Sequence, residues 1–210
     1  MSTPRRAVIV IDAQNEYFQG PLAVQHPPRD ASLATIVRVM DLARDAGLPV
    51  LTVQHELPEG APVFARGSEG WQLHPEVAGR VDDAQKHVTK SLGSVFTADG
   101  VTEWLRDQQI DTITLVGYMT NNCVLATSAA AEPLGLAVEV LSDATGAIHL
   151  ANEAGAVSAQ QVHETLMVLL QSNWAAVAEA DAWAAALEGR QTLPRSDLGS
   201  SAVQGAAARL

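Results

Sequence analysis

Short apolar runs alternate with longer amphipathic stretches over most of the chain. The runs are rich in β-branched residues and apolar on both faces, as strands buried inside a parallel sheet are. They cover residues 7–12, 49–55, 112–117 and 137–143, and a fifth run lies within residues 173–180. This pattern predicts five buried strands.

The stretches between these runs have apolar residues at helical spacing. One of them begins with Asp30 and ends at Gly47 just before Pro49, which are typical start and stop signals of a helix. Residues 99–109 and 152–172 show the same pattern. Strands that alternate with helices predict an α/β fold, with three α/β/α layers, a mostly parallel central sheet and right-handed crossovers.

The chain length of 210 residues suits a single α/β domain, which we expect to cover residues 1–181. Within it, residues 56–86 form a long irregular insertion rich in Pro, Gly and polar residues. Irregular segments of this length inside a domain are usually functional. Residues 182–210 are first Ala-rich and then polar. We expect them to form a C-terminal helix and a tail that is partly flexible or packed on a partner subunit.

Composition and charge argue against several classes of protein and of binding partner. The formal net charge of −11, from 24 acidic and 13 basic residues, repels phosphate backbones and argues against nucleic acid as a partner. No stretch approaches the roughly 18 apolar residues that a membrane span needs, and the first apolar run is too short for a signal peptide. A single cysteine excludes an internal disulfide framework and is typical of a reducing compartment, so we expect a cytoplasmic protein.

Three reactive side chains are predicted to meet at one edge of the sheet. Asp12 ends the first strand, Lys90 follows a short β-like run, and Cys123 begins a helix-like stretch after the strand at residues 112–117. In an open α/β sheet, ligands bind beyond the carboxyl ends of the strands. Each residue alone has a commoner explanation, as a small buried side chain, a turn residue or a surface charge. Their joint occurrence at this edge favours a catalytic site.

The chemistry of the three groups is coherent. The thiolate of a cysteine is the nucleophile, and a helix N-terminus and the Lys90 ammonium would both lower the thiol pKa below its usual value of about 8.5. Asp12 would accept the thiol proton and later deliver it to a leaving amine. Backbone N–H groups in the turn before the helix would hold the oxyanion of a tetrahedral intermediate.

Three motifs together are specific for a known family. They are "VIVIDAQNEYF" at residues 8–18, "VTKSLGSVF" at 88–96 and "VGYMTNNCVLATSAAA" at 116–131. In these motifs, and over about residues 5–180, the chain resembles the isochorismatase-like cysteine hydrolases, which include nicotinamidases and N-carbamoylsarcosine amidase. The resemblance implies a Rossmann-like hydrolase domain with an Asp12–Lys90–Cys123 triad. It also implies assembly into a homo-oligomer, a dimer or larger.

The resemblance adds one expectation about the backbone and one about metals. It implies a non-proline cis peptide bond between Tyr118 and Met119, which would aim the N–H groups of Met119 and Cys123 at the oxyanion. Nicotinamidases of this family carry an Asp-x-His metal motif after the second strand. Gln54 and His55 stand in that region here, so we expect neither a metal nor another cofactor.

The presence of the cysteine favours one reaction. Isochorismatases cleave a vinyl ether without needing the cysteine nucleophile, whereas the amidohydrolases of the family cleave C–N bonds through a thioester. Cys123 therefore predicts hydrolysis of a small amide or ureido substrate. Two alternatives stay open: a vinyl-ether hydrolase in which Asp12 is the acid, and a non-catalytic binding protein of the same fold.

Eight residues are expected to line the substrate pocket. Aromatic walls with a few polar groups suit a small planar amide, although Phe18 and Phe96 could equally be core residues. The eight are Gln14, Asn15, Phe18, His55, Trp71, Phe96, Tyr118 and Thr120.

Overall fold

A computed structural model describes residues 3–82 and 85–208 of the chain, and its centre is a six-stranded sheet. The strands of this sheet are β1 (Arg6–Ile11), β2 (Val50–His55), β3 (Lys86–Lys90), β4 (Thr112–Tyr118), β5 (Ala137–Gly146) and β8 (Ala176–Ala178). A separate hairpin is formed by β6 (Leu150–Asn152) and β7 (Gly155–Val157). The sheet order is β3-β2-β1-β4-β5-β8, and every neighbouring pair is parallel.

Helices cover both faces of this sheet. They are α1 (Glu16–Gln19), α2 (Arg29–Asp45), α3 (Pro75–Ala78), α4 (Val101–Asp107), α5 (Leu125–Ala131), α6 (Ala159–Asn173), α7 (Ala180–Glu188) and α8 (Leu198–Ala207). Helices α2 and α7 share one half of the core, and α4, α5 and α6 share the other. The predicted three-layer fold is confirmed. None of the helices in the described part of the chain is long and apolar enough to cross a membrane.

The order of the strands creates a crevice beside the end of β1. This strand pairs with β2 on one side and with β4 on the other, and Ile11 lies opposite both Val53 and Gly117. The chain continues from β1 to β2 and β3 on one side and later returns to the other side of β1 as β4, so the strand order reverses at β1. Ligands of open α/β sheets bind at such a switch point. Asp12, which follows β1, lies at that point.

The predicted helix at residues 152–172 is wrong at its beginning. Residues 150–157 form the β6–β7 hairpin, in which Gly155 has a positive φ of 142°, and α6 starts only at Ala159. The start is set by a capping box: the Ser158 side chain accepts from the Gln161 N–H, and the Gln161 side chain accepts from the Ser158 N–H. Ser158 was therefore a better start signal than the Asn at position 152.

The packed core extends past the predicted boundary at residue 181. The Trp183 side chain is fully buried, and its indole N–H lies 3.0 Å from Thr114 Oγ1 and 3.1 Å from Glu139 Oε2. Leu193 is buried as well, whereas α8 has no buried residue. The packed domain thus runs to about Leu193. Residues 1–2 of the predicted domain, 83–84 of the predicted insertion and 209–210 of the predicted tail lie outside the described residues.

A buried ion pair joins β1 to β5. Arg6 and Glu139 pair at 2.8 Å, with side chains 1% and 4% exposed. The Glu139→Ala change would leave Arg6 buried without its counter-charge, so it should lower the free energy of unfolding by about 3 kcal/mol. Urea unfolding measures this loss. The Arg38→Ala change, which breaks an exposed pair with Asp181, is the control and should cost less than about 1 kcal/mol. Equal losses would contradict a structural role for the buried pair.

Candidate active site

Asp12 lies in a constrained backbone position at the end of β1. Its φ of 49° is in the left-handed region, which aspartate tolerates better than most residues. Its side chain is fully buried. Oδ2 accepts a hydrogen bond from Lys90 Nζ at 2.6 Å, whereas Oδ1 is buried and pairs with no described residue. One carboxylate oxygen is therefore open to a proton from another group.

Lys90 ends β3, and its ammonium lies among three groups. Nζ is 2.6 Å from Asp12 Oδ2, 3.2 Å from His55 Nδ1 and 3.3 Å from Cys123 Sγ. Burial and then the Lys90 charge lower the pKa of His55 to about 4, so the ring is neutral at pH 7 and Nδ1 can accept. An ammonium has three hydrogens, and here each has a partner. Lys90 is thus held rigidly next to the sulfur.

Cys123 lies in a single wide turn that precedes α5. The turn is a π-helix of residues Thr120–Val124, a form that is frequent at functional sites. It follows the Tyr118–Met119 peptide bond, which is cis. The Met119 carbonyl accepts hydrogen bonds from the N–H groups of Asn122 and Val124, at 3.1 and 3.2 Å. These bonds tie the end of β4 to the turn that carries the thiol.

Gly117 lets the ends of β1 and β4 approach closely. Its φ is 106°, and a Cβ atom there would lie 2.0 Å from the Ile11 carbonyl oxygen. Only glycine fits such an approach. The close contact brings Asp12 beside the backbone segment that leads to Cys123.

The geometry of the site also resembles part of a metal site. Single ligand atoms of Asp12, His55 and Cys123 lie within 4.8 Å of one another, close enough to share an ion. The Lys90 ammonium, however, lies within 3.3 Å of all three groups. The protein thus supplies a positive charge where a metal ion would have to sit. The donor set fits a lysine-centred triad better than a metal centre.

Comparison with known proteins decides the family. Residues 6–186 match the family model of the isochorismatase domain. The chain belongs to the isochorismatase family. This confirms the resemblance drawn from the three motifs, and it makes a hydrolase the expected class of enzyme.

The relatives of this isochorismatase-family chain include both isochorismatase-type proteins and a nicotinamidase. The crystal structure of an isochorismatase-type protein from Burkholderia xenovorans LB400 is 49% identical, covers 99% of each chain and has a TM-score of 0.96. The secreted isochorismatase effector Isc1 of Verticillium dahliae is 33% identical over 69% of this chain and 74% of its own length. The nicotinamidase of Escherichia coli K12 is 25% identical over 70% of this chain and 85% of its own length.

The expected low pKa of the Cys123 thiol is wrong. Burial and then the negative charge of Asp12 raise the pKa of Cys123 to about 12, although Lys90 acts in the opposite direction. Burial also raises the pKa of Asp12, and Lys90 opposes that shift. Sequence reasoning weighed only the cation and the helix end, because burial of the sulfur depends on the tertiary fold. The Cys123 thiol is therefore protonated at neutral pH.

These charges give a prediction for thiol reactivity. The Asp12→Asn change removes the charge that raises the pKa of Cys123, so more thiolate forms at pH 8. Alkylation by iodoacetamide should become faster, about tenfold for each unit by which the pKa falls. Cys123 is the only cysteine, so mass spectrometry reads the rate directly. Asp181→Asn on the surface of α7 is the control and should change nothing. Slower alkylation in Asp12→Asn would contradict the assigned electrostatics.

Gln14, predicted to face the substrate, instead supports the wall of the site. It is fully buried, and its side-chain amide donates to the carbonyls of His55 and Trp71 at 2.9 and 2.6 Å. Its oxygen accepts from the His55 N–H at 2.7 Å. With these bonds made, Gln14 joins β1 to the end of β2 and to the insertion.

Tyr118 and Thr120 are likewise turned into the protein. Both are fully buried. The Tyr118 hydroxyl is 2.7 Å from Ser32 Oγ, and the Thr120 hydroxyl is 2.9 Å from His163 Nδ1. The prediction of these two as substrate contacts missed that α2 and α6 supply their partners. Contacts of this kind join distant parts of the sequence and leave no local signal.

The other predicted pocket residues lie around the site at different distances from the chemistry. His55 touches Lys90, whereas half-buried Phe96 packs against the half of the core that contains Cys123. Phe18 is half-buried against Tyr118 and His74, with ring centroids 5.8 and 4.4 Å apart. The remaining two belong to the contact between α1 and the insertion: the Asn15 amide donates to the Glu69 carbonyl, and the Trp71 carbonyl accepts from Gln14 and Gln54.

Proposed function

We propose that the chain is a cysteine hydrolase that cleaves the C–N bond of a small amide or ureido substrate. The observation that carries this proposal is the contact of one buried ammonium with both Asp12 and Cys123, while Asp12 Oδ1 remains open. A protonated thiol, an adjacent carboxylate and a fixed cation are the groups that acyl transfer to sulfur needs.

The first half of the reaction forms a thioester. Asp12 takes the thiol proton as the sulfur attacks the carbonyl carbon, and Lys90 stabilises the negative charge that develops on sulfur. The N–H groups of Met119 and Cys123 hold the oxyanion of the tetrahedral intermediate. Asp12 then returns the proton to the nitrogen, and the amine or ammonia leaves.

The second half of the reaction restores the enzyme. Asp12, again a carboxylate, takes a proton from a water molecule as that water attacks the thioester carbonyl. The tetrahedral intermediate collapses with cleavage of the C–S bond, and the proton passes from Asp12 to sulfur. A carboxylic acid leaves, or a carbamic acid if the substrate is a ureido compound.

A vinyl-ether hydrolase is the second candidate, and burial of Asp12 is the observation that favours it. Burial raises the pKa of this carboxyl and so favours the protonated form that a general acid needs. The name of the relative Isc1 points the same way. The ion pair with Lys90 favours the charged form instead, so we prefer the amide reaction.

Ammonia release from a panel of aliphatic and aromatic primary amides and ureido acids tests the proposal. The wild-type protein should release ammonia from at least one member, and the Cys123→Ser variant from none. Equal release by both proteins would contradict a thioester at Cys123. Cleavage of a vinyl ether with no release from any amide would favour the second candidate.

We also propose that the protein forms a homo-oligomer through the surface that α6 and α8 share. Val168 on α6 and Leu198 and Val203 on α8 are 70%, 63% and 72% exposed, and exposed apolar side chains on neighbouring helices are common at interfaces. Light scattering during gel filtration measures the mass of the particle in solution.

We also propose a cytoplasmic location, which is supported by a free, buried cysteine. Cell fractionation tests it, since the relative Isc1 is a secreted effector.

A further inference from the structure

Helix α6 contacts the turn that carries the thiol through one buried hydrogen bond. His163 on α6 lies with its Nδ1 2.9 Å from the hydroxyl oxygen of Thr120. Thr120 is fully buried and His163 is 4% exposed, so water does not compete for this bond. Thr120 is the first residue of the π turn, and Cys123 is the fourth. The bond therefore acts on the segment that places the sulfur.

The surroundings of His163 keep its ring neutral. Burial and then the nearby His26, whose ring centroid is 5.5 Å away, lower the pKa of His163 to about 4. A hydrogen bond to the Ser142 backbone and the charge of Glu164 act in the opposite direction. A neutral ring has one N–H and one bare nitrogen, so Nδ1 and the Thr120 hydroxyl share one hydrogen bond whichever of the two donates.

This arrangement fixes the direction of the Thr120 side chain. A buried Nδ1 that lost its partner would be left unsatisfied, which disfavours any rotation of Thr120 away from the ring. On the outer side of His163, a cavity of about 460 Å³ reaches the surface; Ser142, Asp143 and Glu179 are among its lining residues. The His163 ring thus lies between this cavity and the start of the π turn that carries Cys123.

We propose that His163 is a positioning residue, which holds the Thr120 hydroxyl and so fixes the π turn that presents Cys123 to Asp12 and Lys90. The proposal rests on the proposed role of Cys123 as nucleophile. It assigns to α6 a part in the chemistry although His163 touches none of the reacting atoms. It also explains why a polar pair is buried at the contact between α6 and the turn, where apolar side chains would pack as well.

Variants that keep the shape of the contact test the proposal. Thr120→Val removes the hydroxyl, His163→Leu removes the ring nitrogen, and Thr120→Ser keeps a hydroxyl as the matched control. On an amide found in the panel, the first two should each lower kcat about tenfold, with KM changed less than about twofold. The double variant should be no worse than the poorer single variant, because both remove the same bond. Thr120→Ser should retain most of the wild-type kcat.

Alkylation of Cys123 gives a second readout that needs no substrate. In Thr120→Val and His163→Leu, the apparent pKa of the thiol should fall from about 12 towards its ordinary value, because a loosened turn lets water reach the sulfur. Folded variants that keep the wild-type pH profile and kcat would overturn the proposal. A changed profile in both variants, with no amide turned over by the wild type, would support the positioning role while the proposed function failed.

A measurement on the wild-type protein covers the case in which the variants do not fold. Nitrogen NMR of histidine-labelled protein distinguishes the two neutral forms of the ring. We expect His163 at pH 7 to be neutral, with an Nδ1 chemical shift that shows a hydrogen bond and that changes in Thr120→Val where that variant folds. A doubly protonated ring, or an Nδ1 with no sign of a hydrogen bond, would overturn the proposal.

Discussion

Replacing Cys123 with Ala is expected to lower amide turnover by at least about 10⁴-fold, because the reaction loses its nucleophile. Asp12→Asn should lower turnover by at least about 10³-fold, since the amide side chain cannot take the thiol proton. Asn also tolerates the left-handed backbone at this position, so the fold should survive. Steady-state ammonia release on the best amide of the panel measures both losses.

The two variants together separate the three hypotheses for this site. A cysteine amidohydrolase loses turnover in both variants. A vinyl-ether hydrolase loses it in Asp12→Asn and keeps it in Cys123→Ala. A binding protein has no turnover to lose. An Asp12→Asn variant that keeps the wild-type circular dichroism spectrum and urea unfolding midpoint while losing turnover would exclude misfolding as the cause.

Gly117→Ala is expected to lower the free energy of unfolding by at least about 4 kcal/mol, enough to prevent folding of a marginal protein. The added Cβ would lie 2.0 Å from the Ile11 carbonyl oxygen and 2.8 Å from the Ile11 backbone nitrogen. The ends of β1 and β4 would have to separate, and any folded remainder would have Asp12 displaced from Cys123. Urea unfolding, with circular dichroism as the signal, measures the loss.

Gly135→Ala is the matched control for this change. Gly135 also has a positive φ, of 70°, but a Cβ there would have no atom within 4 Å. It should cost only about 1 kcal/mol, the strain of an L residue in the left-handed region. A similar loss in both variants would show that the backbone angle matters at Gly117 and the close approach of the two strands does not.

The fold and the meeting of Asp12, Lys90 and Cys123 were predictable because their signals are local or belong to whole motifs. Apolar runs such as that of residues 7–12 have the two-faced pattern of buried strands, and the motifs around Asp12, Lys90 and Cys123 occur in the family order. Trp183 had no such signal. Its place in the core depends on β4 and β5, so the predicted boundary at residue 181 fell inside α7.

The pKa of Cys123 and the contacts that support the site could not be predicted from the sequence, for a physical reason. A thiol pKa depends on how much water reaches the sulfur, and Cys123 is 2% exposed only because it packs into the half of the core that β1, β4 and α4 share. The contacts of Lys90 with His55 and of Thr120 with His163 join residues 35 and 43 positions apart. Nothing in either local sequence specifies the partner.

Trapping of the acyl intermediate tests the central claim most directly. The wild-type protein is mixed with an amide that it hydrolyses and quenched in acid within one turnover, and the intact mass and a peptide digest are measured. We predict a mass increase equal to the acyl group of the amide, located on the peptide that contains Cys123 and absent from the Cys123→Ala variant. Hydrolysis of the amide with Cys123 unmodified throughout, and with the Ala variant still active, would contradict the thioester mechanism.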